Sequence, residues 1–197
     1  MAVAQRQQTQ YYTVDEYFAL EERAEYRSEF YKGEIFAMSG GSANHNRISG
    51  NVFASMRSAL RGKPCEVFIA DMRLHVKRRQ LYTYPDVMAV CGKTEFAHRR
   101  NDTVTNPVLI VEVLSPSTEN YDRGKKFEYY RTIETLREYV LIDQQRRYVE
   151  RYQWVGLGRW ELTSFDEADQ VVPLTSLDID LSLASIYERV DLKSETT

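Results

Sequence analysis

Cysteine is almost absent: Cys65 and Cys91 are the only two in 197 residues, and they form no C-x-x-C pair. Thiols so few and so far apart read as reduced core residues, which excludes a disulfide-framed secreted module. Histidine is nearly as scarce, and neither His75 nor His98 stands at ligand spacing from a cysteine, so zinc is not expected. No apolar run approaches the roughly 18 residues of a membrane helix, and no membrane partner is expected. The stretch Met1–Tyr12 is polar, without the apolar core of a secretory signal, so the cytoplasm is the expected compartment. Positive charge is not in excess either. With 26 Lys and Arg against 29 Asp and Glu the net charge is −3, so any hold on nucleic acid must come from local patches and a bridging metal.

What is present is the composition of a folded α/β protein, 43% apolar and 12% aromatic. The length suggests one domain over 12–192, a flexible start at 1–11 and a frayed end at 193–197. Thr13-Val14-Asp15-Glu16 has capping-box spacing and predicts a helix over 14–23. An extended hairpin over 26–38 turns at Lys32-Gly33. Ile48, Val52, Met56 and Leu60 recur at helical spacing, and Gly62-Lys63-Pro64 ends that helix. Met72, Leu74 and Val76 alternate with Arg73, His75 and Lys77 as in a half-buried strand, and a second strand is predicted over 82–90. Leu109–Leu114 is a nearly continuous apolar run, the mark of a central strand covered on both faces. A helix over 121–136 and antiparallel strands over 138–143, 148–154 and 159–165 follow. From Asn44 the order is helix, three strands, helix, strand, in a mixed central sheet.

One acid, Glu112, interrupts the apolar run, and a buried carboxylate must be protonated, paired with a cation or bound to a metal. Asp86 opens another apolar strand behind Pro85. Two carboxylates on neighbouring strands form a hard oxygen site that suits Mg2+ (or Mn2+), while the plainer reading makes Asp86 a turn residue and Glu112 a salt-bridge partner. At 100° per residue Asp122, Lys126, Tyr130 and Ile133 share one helix face, and Lys125 points away. Lys126 therefore faces the sheet, where it can orient a water and offset phosphate charge, or simply pair with Asp122. Glu29 and His45 are further candidates, and Asp71 reads as a surface acid. Basic residues cluster at Arg73/Lys77/Arg78/Arg79, His98/Arg99/Arg100, Arg123/Lys125/Lys126 and Arg146/Arg147. Brought to one edge, they would track a phosphate backbone.

The segments Ala70-Asp71-Met72-Arg73, Tyr82-Thr83-Tyr84-Pro85-Asp86-Val87, Val111-Glu112-Val113-Leu114-Ser115-Pro116-Ser117-Thr118 and Tyr121-Asp122-Arg123-Gly124-Lys125-Lys126-Phe127 resemble the Uma-type endonucleases. Leu136-Arg137-Glu138-Tyr139 and Glu29-x-x-x-Gly33 with His45 extend the match over about 12–190. That family is similar in fold to the PD-(D/E)XK nucleases, so the resemblance implies a restriction-endonuclease-like α/β core with an N-terminal helix and hairpin and C-terminal antiparallel strands. It implies a metal-dependent endonuclease acting on DNA, with Asp86, Glu112 and the Val113 carbonyl as metal ligands and Lys126, Glu29 and His45 in the catalytic group. Leu114 stands where the superfamily carries its lysine, and Lys126 on the next helix takes that place. An inactive nuclease-fold module that binds nucleic acid or protein is the alternative, and a homodimer would let two sites cut two strands.

Overall fold

Thr13 starts helix α1 (Val14–Glu21) through the capping box: its Oγ1 accepts from Glu16 N at 3.2 Å, and the Glu16 carboxylate accepts from Thr13 N at 2.7 Å. This is a computed structural model, and it describes residues 10–38 and 40–192. The expectations for 1–9 and 193–197 fall outside the described residues. Lys32 and Gly33, with φ of +49° and +94°, form the tight turn between β1 (Ser28–Tyr31) and β2 (Glu34–Ala37). Two positive φ values in succession match the twist of a two-residue hairpin.

Two sheets follow. The larger has the order β11-β10-β9-β8-β6-β3, built from β3 (Cys65–Ile69), β6 (Val87–Cys91), β8 (Leu109–Leu114), β9 (Glu138–Asp143), β10 (Val149–Gly156) and β11 (Arg159–Phe165). Only β8 and β9 pair in parallel, so the sheet is mixed, as predicted. The smaller has the order β2-β1-β5-β4-β7, adding β4 (Arg73–Val76), β5 (Leu81–Thr83) and β7 (Thr103–Val104). A hairpin of β12 (Val171–Leu174) and β13 (Ile179–Ser182) and a short helix α5 (Leu183–Ile186) close the described chain.

Strand β8 is buried along its whole length because both faces are covered. Leu109, Val111 and Val113 pack toward α2 (Ala43–Ala59), with its Ile48, Val52 and Met56, in one core. Ile110 and Leu114 pack in a second core with Leu74, Leu81 and Tyr130. Side chains alternate along a strand, so Glu112 projects into the second core, between the two sheets.

Five expectations are corrected. Cys65 and Cys91 are not reduced: β3 and β6 pair antiparallel with these residues directly opposite, Cα atoms 4.0 Å apart, and they form a disulfide. The first strand of the core is Cys65–Ile69, whereas the segment around Leu74 lies in the smaller sheet. The run over 82–90 is two strands in different sheets, because Pro85 has no N–H to continue a ladder. The helix predicted over 121–136 is shorter: α3 (Glu119–Tyr121), a π-helical turn (Asp122–Lys126) and α4 (Phe127–Tyr130), closed by turns at Thr132 and Ile133. Arg73 does not face solvent, since its side chain is 5% exposed.

Candidate active site

Strand β6 begins at Val87, paired with Val111, so β8 runs three residues beyond its neighbour. Asp86 fills that gap, and its Oδ2 accepts the Val113 N–H at 2.7 Å. Along a strand the N–H and C=O of one residue point to the same side. The Val113 carbonyl, predicted as a ligand, thus turns toward the Asp86 side of β8, while the contact the structure records there is made by its N–H. The same Asp86 oxygen lies 3.2 Å from Nε2 of His45, on the first turn of α2. Burial opposes charge on this imidazole, but the hydrogen bond and charge of Asp86, with Asp122 behind it, raise its pKa above the ordinary value.

Glu112 meets the π-helical turn. Its Oε1 accepts from the Tyr130 hydroxyl at 2.7 Å and lies 3.0 Å from Lys126 Nζ. The ammonium also stands 3.2 Å from Asp122 Oδ1 and 3.7 Å from Glu29 Oε1, with the lysine side chain 7% exposed and that of Glu112 4%. Burial alone would strip the lysine of its proton, yet Glu112, then Asp122 and Glu29, hold its pKa well above the ordinary lysine value. Burial pushes Glu112 to about 8, with Asp86 and Asp122 adding to the rise and Lys126 and Tyr130 opposing it. Glu29 lies within β1, and it accepts from Thr83 Oγ1 and from the Tyr121 hydroxyl at 3.2 Å.

Glu29, His45, Asp86, Glu112, Val113 and Lys126, all predicted from sequence, therefore line one cavity of about 480 Å3. Asp122 and Tyr130 are brought in by helical spacing from Lys126. Gln144 carried no local signal: it lies after β9, donates to the Leu114 carbonyl at 2.9 Å and accepts from Ser42, tying the start of α2 to the end of β8. Asp71 is 82% exposed and pairs with Arg27, outside the cavity. The basic clusters do not converge on it. Arg78 pairs with Glu134, Arg100 with Glu22 and Asp102, and Arg123 with Glu119 and Glu150, and among the described residues only Lys126 of the Lys and Arg side chains lines the cavity. His75 and His98 lie elsewhere, against Tyr82, which stacks on His75 with ring centroids 4.1 Å apart.

Among the described residues no three His, Cys, Asp or Glu side chains form a ready-made metal cage. The donor chemistry nevertheless fits a hard divalent cation that keeps several waters. Glu29, Asp86, Glu112 and Asp122 face one lysine and one histidine, leaving an excess of negative charge. Among the described residues Oδ1 of Asp86 and Oε2 of Glu112 accept no protein hydrogen bond, and Asp122 Oδ1 is buried beside the ammonium without an aligned one.

The chain resembles known proteins over most of its length. It is 44% identical over 155 residues, 79% of this chain and 88% of the other, to the uncharacterized protein sll1609 of Synechocystis sp.. It is 34% identical over 173 residues to slr1290 of the same organism, covering 88% and 90% of the two chains. Its fold matches a solved structure described as "a putative nuclease belonging to DUF820" from Anabaena variabilis, with a TM-score of 0.70, 22% identity and coverage of 89% and 97%. A family model described as "Putative restriction endonuclease" matches residues 14–185, and the chain belongs to that family, Uma2.

Proposed function

We propose that this protein is a divalent-metal-dependent endonuclease that hydrolyses phosphodiester bonds in DNA. The observation that carries the reading is the meeting of Asp86 and Glu112 in one cavity, each with an unpartnered oxygen, beside the Lys126 ammonium 3.0 Å from Glu112. Asp86, Glu112 and the Val113 carbonyl would hold Mg2+ or Mn2+. Bound there, the ion supplies Lewis acidity that activates water and offsets charge on the phosphate. Lys126 orients the attacking water and balances charge as its oxygen bonds to phosphorus and one bridging P–O bond breaks. Tyr130 fixes the Glu112 carboxylate, and His45 with the Val113 N–H fixes that of Asp86, so neither must reorganise during reaction.

The test is nicking of supercoiled plasmid by purified protein with magnesium or manganese. Activity should require the metal and fall at least about 100-fold in Asp86→Asn and Glu112→Gln. Equal nicking by parent and variants would remove both acids from the mechanism. The alternative, a module of this fold that binds without turnover, draws on Leu114 and on a lysine already held by three carboxylates. Calorimetry separates the two, because only a competent site binds Mg2+ or Mn2+ with an affinity that Glu112→Gln weakens. We place the activity in the cytoplasm, where a reducing medium would open the Cys65–Cys91 bridge; the β3–β6 ladder extends beyond it to Ile69↔Val87.

A further inference from the structure

Phe36 is 48% exposed, on the hairpin strand at the edge of the smaller sheet, and it lines the same cavity as Asp86 and Glu112. Its position follows from register. Phe36 pairs with Glu29 across the β1–β2 ladder, while the neighbouring pair is Phe30 and Ile35. Opposite residues of an antiparallel ladder share a face and neighbouring pairs alternate. Phe30 and Ile35 pack with Tyr17 and Tyr82. Glu29 points the other way, to Lys126, and Phe36 stands beside it. An aromatic ring is thus mounted at the mouth of the cavity, half in solvent.

Two further features bear on what this ring meets. The only Lys or Arg lining the cavity among the described residues is Lys126, already surrounded by acids, so the lining lacks the cations with which proteins usually hold duplex phosphates. The Glu112 side chain, 4% exposed, lies deep in a recess of about 480 Å3, a volume of nucleotide size. A strand that leaves the duplex can bring a phosphate to it.

Resting on the nuclease reading for the identity of its ligand, we infer that the cavity takes an unpaired DNA strand, with a base stacked on Phe36 next to the phosphate held over Asp86 and Glu112. Stacking on an aromatic face is tolerant of sequence, and outside the acid cluster the lining offers hydroxyl, amide and aromatic groups. Ser42, Ser115, Ser117 and Thr118 supply hydroxyls to the same cavity.

The test is fluorescence anisotropy of a labelled 16-mer, unpaired and as duplex, with calcium replacing magnesium, and a 2-aminopurine base in the unpaired strand to report stacking. The unpaired strand should bind at least about 10-fold more tightly than the duplex. Phe36→Leu should weaken it about 5-fold or more and abolish 2-aminopurine quenching, and Phe36→Tyr should restore both. Duplex binding as tight as that of the single strand, absence of oligonucleotide binding, or indifference to Phe36→Leu in a folded variant would overturn the inference. Duplex cleavage that needs Glu112 but ignores Phe36 would overturn the inference and leave the nuclease. Unpaired-strand binding through Phe36 with no cleavage under any metal would do the reverse.

Discussion

Tyr84 touches two buried clusters of charge that are built on opposite terms. On one side its hydroxyl donates to Glu21 at 2.6 Å and accepts from Arg73 Nε at 2.9 Å. There Glu21 also accepts the Ser28 N–H, and Arg73 reaches Thr103, stands 3.5 Å from Asp102 and lies against the rings of Tyr17, Phe18 and Tyr84. Each charge has an opposite charge and hydrogen bonds, and the cluster is sealed. On the other side Tyr84 lines the cavity in which four carboxylates share one lysine and one histidine. A sealed pair ties α1 to the smaller sheet, whereas an acid-rich pocket open to a cavity is short of one cation. Burial alone does not distinguish structure from function in this fold; charge balance does.

The comparison breaks most visibly in the sign of two like substitutions. Glu21→Gln leaves Arg73 buried with the more deeply buried of its two carboxylates gone and places an amide N–H2 against groups that donate, so about 3 kcal/mol of stability should be lost. Glu112→Gln replaces a carboxyl that burial, with its pKa pushed to about 8, already keeps largely protonated at pH 7, and it leaves Lys126 paired with Asp122 and Glu29, so metal-free stability should stay within about 1 kcal/mol of the parent or rise. Urea melts in chelator at pH 7 decide it. Equal losses would mean that the two clusters are both structural.

Acid and base should separate the clusters as well. The Glu112 pKa, raised from about 4.5 to about 8 by burial, favours a protonated native state. Its contribution is complete below about 4.5 and is lost as pH rises through 8. Asp102 runs the other way, because the hydrogen bond from Arg100 lowers it to about 2; its contribution is present above about 3.8 and is lost as pH falls through 2. Melting temperature in chelator should therefore decline from pH 5 to pH 8, and Glu112→Gln should flatten that decline. Saturating Mg2+ should also flatten it, since a cation takes the place of the proton and its affinity should climb over the same interval. A decline unchanged in Glu112→Gln would assign the titration to another group.

Much of the open cluster was legible because each member violates its surroundings. Glu112 is an acid within an apolar run, Asp86 follows a proline at a strand mouth, and Lys126 shares a helical face with Tyr130, an assignment that survived even though the helix contains a π turn. The sealed cluster was not legible. Arg73 alternates with Leu74 like any exposed residue, and only the packing of α1 over β4 and β7 buries it. Sheet membership failed for the same reason. Leu74 and Val76 have the alternation of a half-buried strand, and nothing local says that they belong to a second sheet. The cysteines are the simplest instance: Cys65 and Cys91 are 26 residues apart, and only the β3–β6 register makes them neighbours.

The finest adjustment of the open cluster is at Gly41. A Cβ built there would stand 2.8 Å from His45 Nδ1 and 3.1 Å from its Cγ, so the imidazole occupies the space a side chain would need. Gly41→Ala must swing the ring, and the 3.2 Å contact from Nε2 to Asp86 goes with it. Deprived of that partner, a half-buried imidazole is governed by desolvation, and its pKa should drop from above the ordinary value to below it. Global stability should move by no more than about 0.5 kcal/mol, because no apolar contact is removed. Magnesium affinity should weaken about 10-fold, the cost of an Asp86 carboxylate held by the Val113 N–H alone. NMR titration of the His45 resonance beside calorimetry of metal binding reads both effects. A His45 pKa that stays high in Gly41→Ala would mean that the loop yields instead of the ring, and that Asp86 is oriented by the strand and not by the helix.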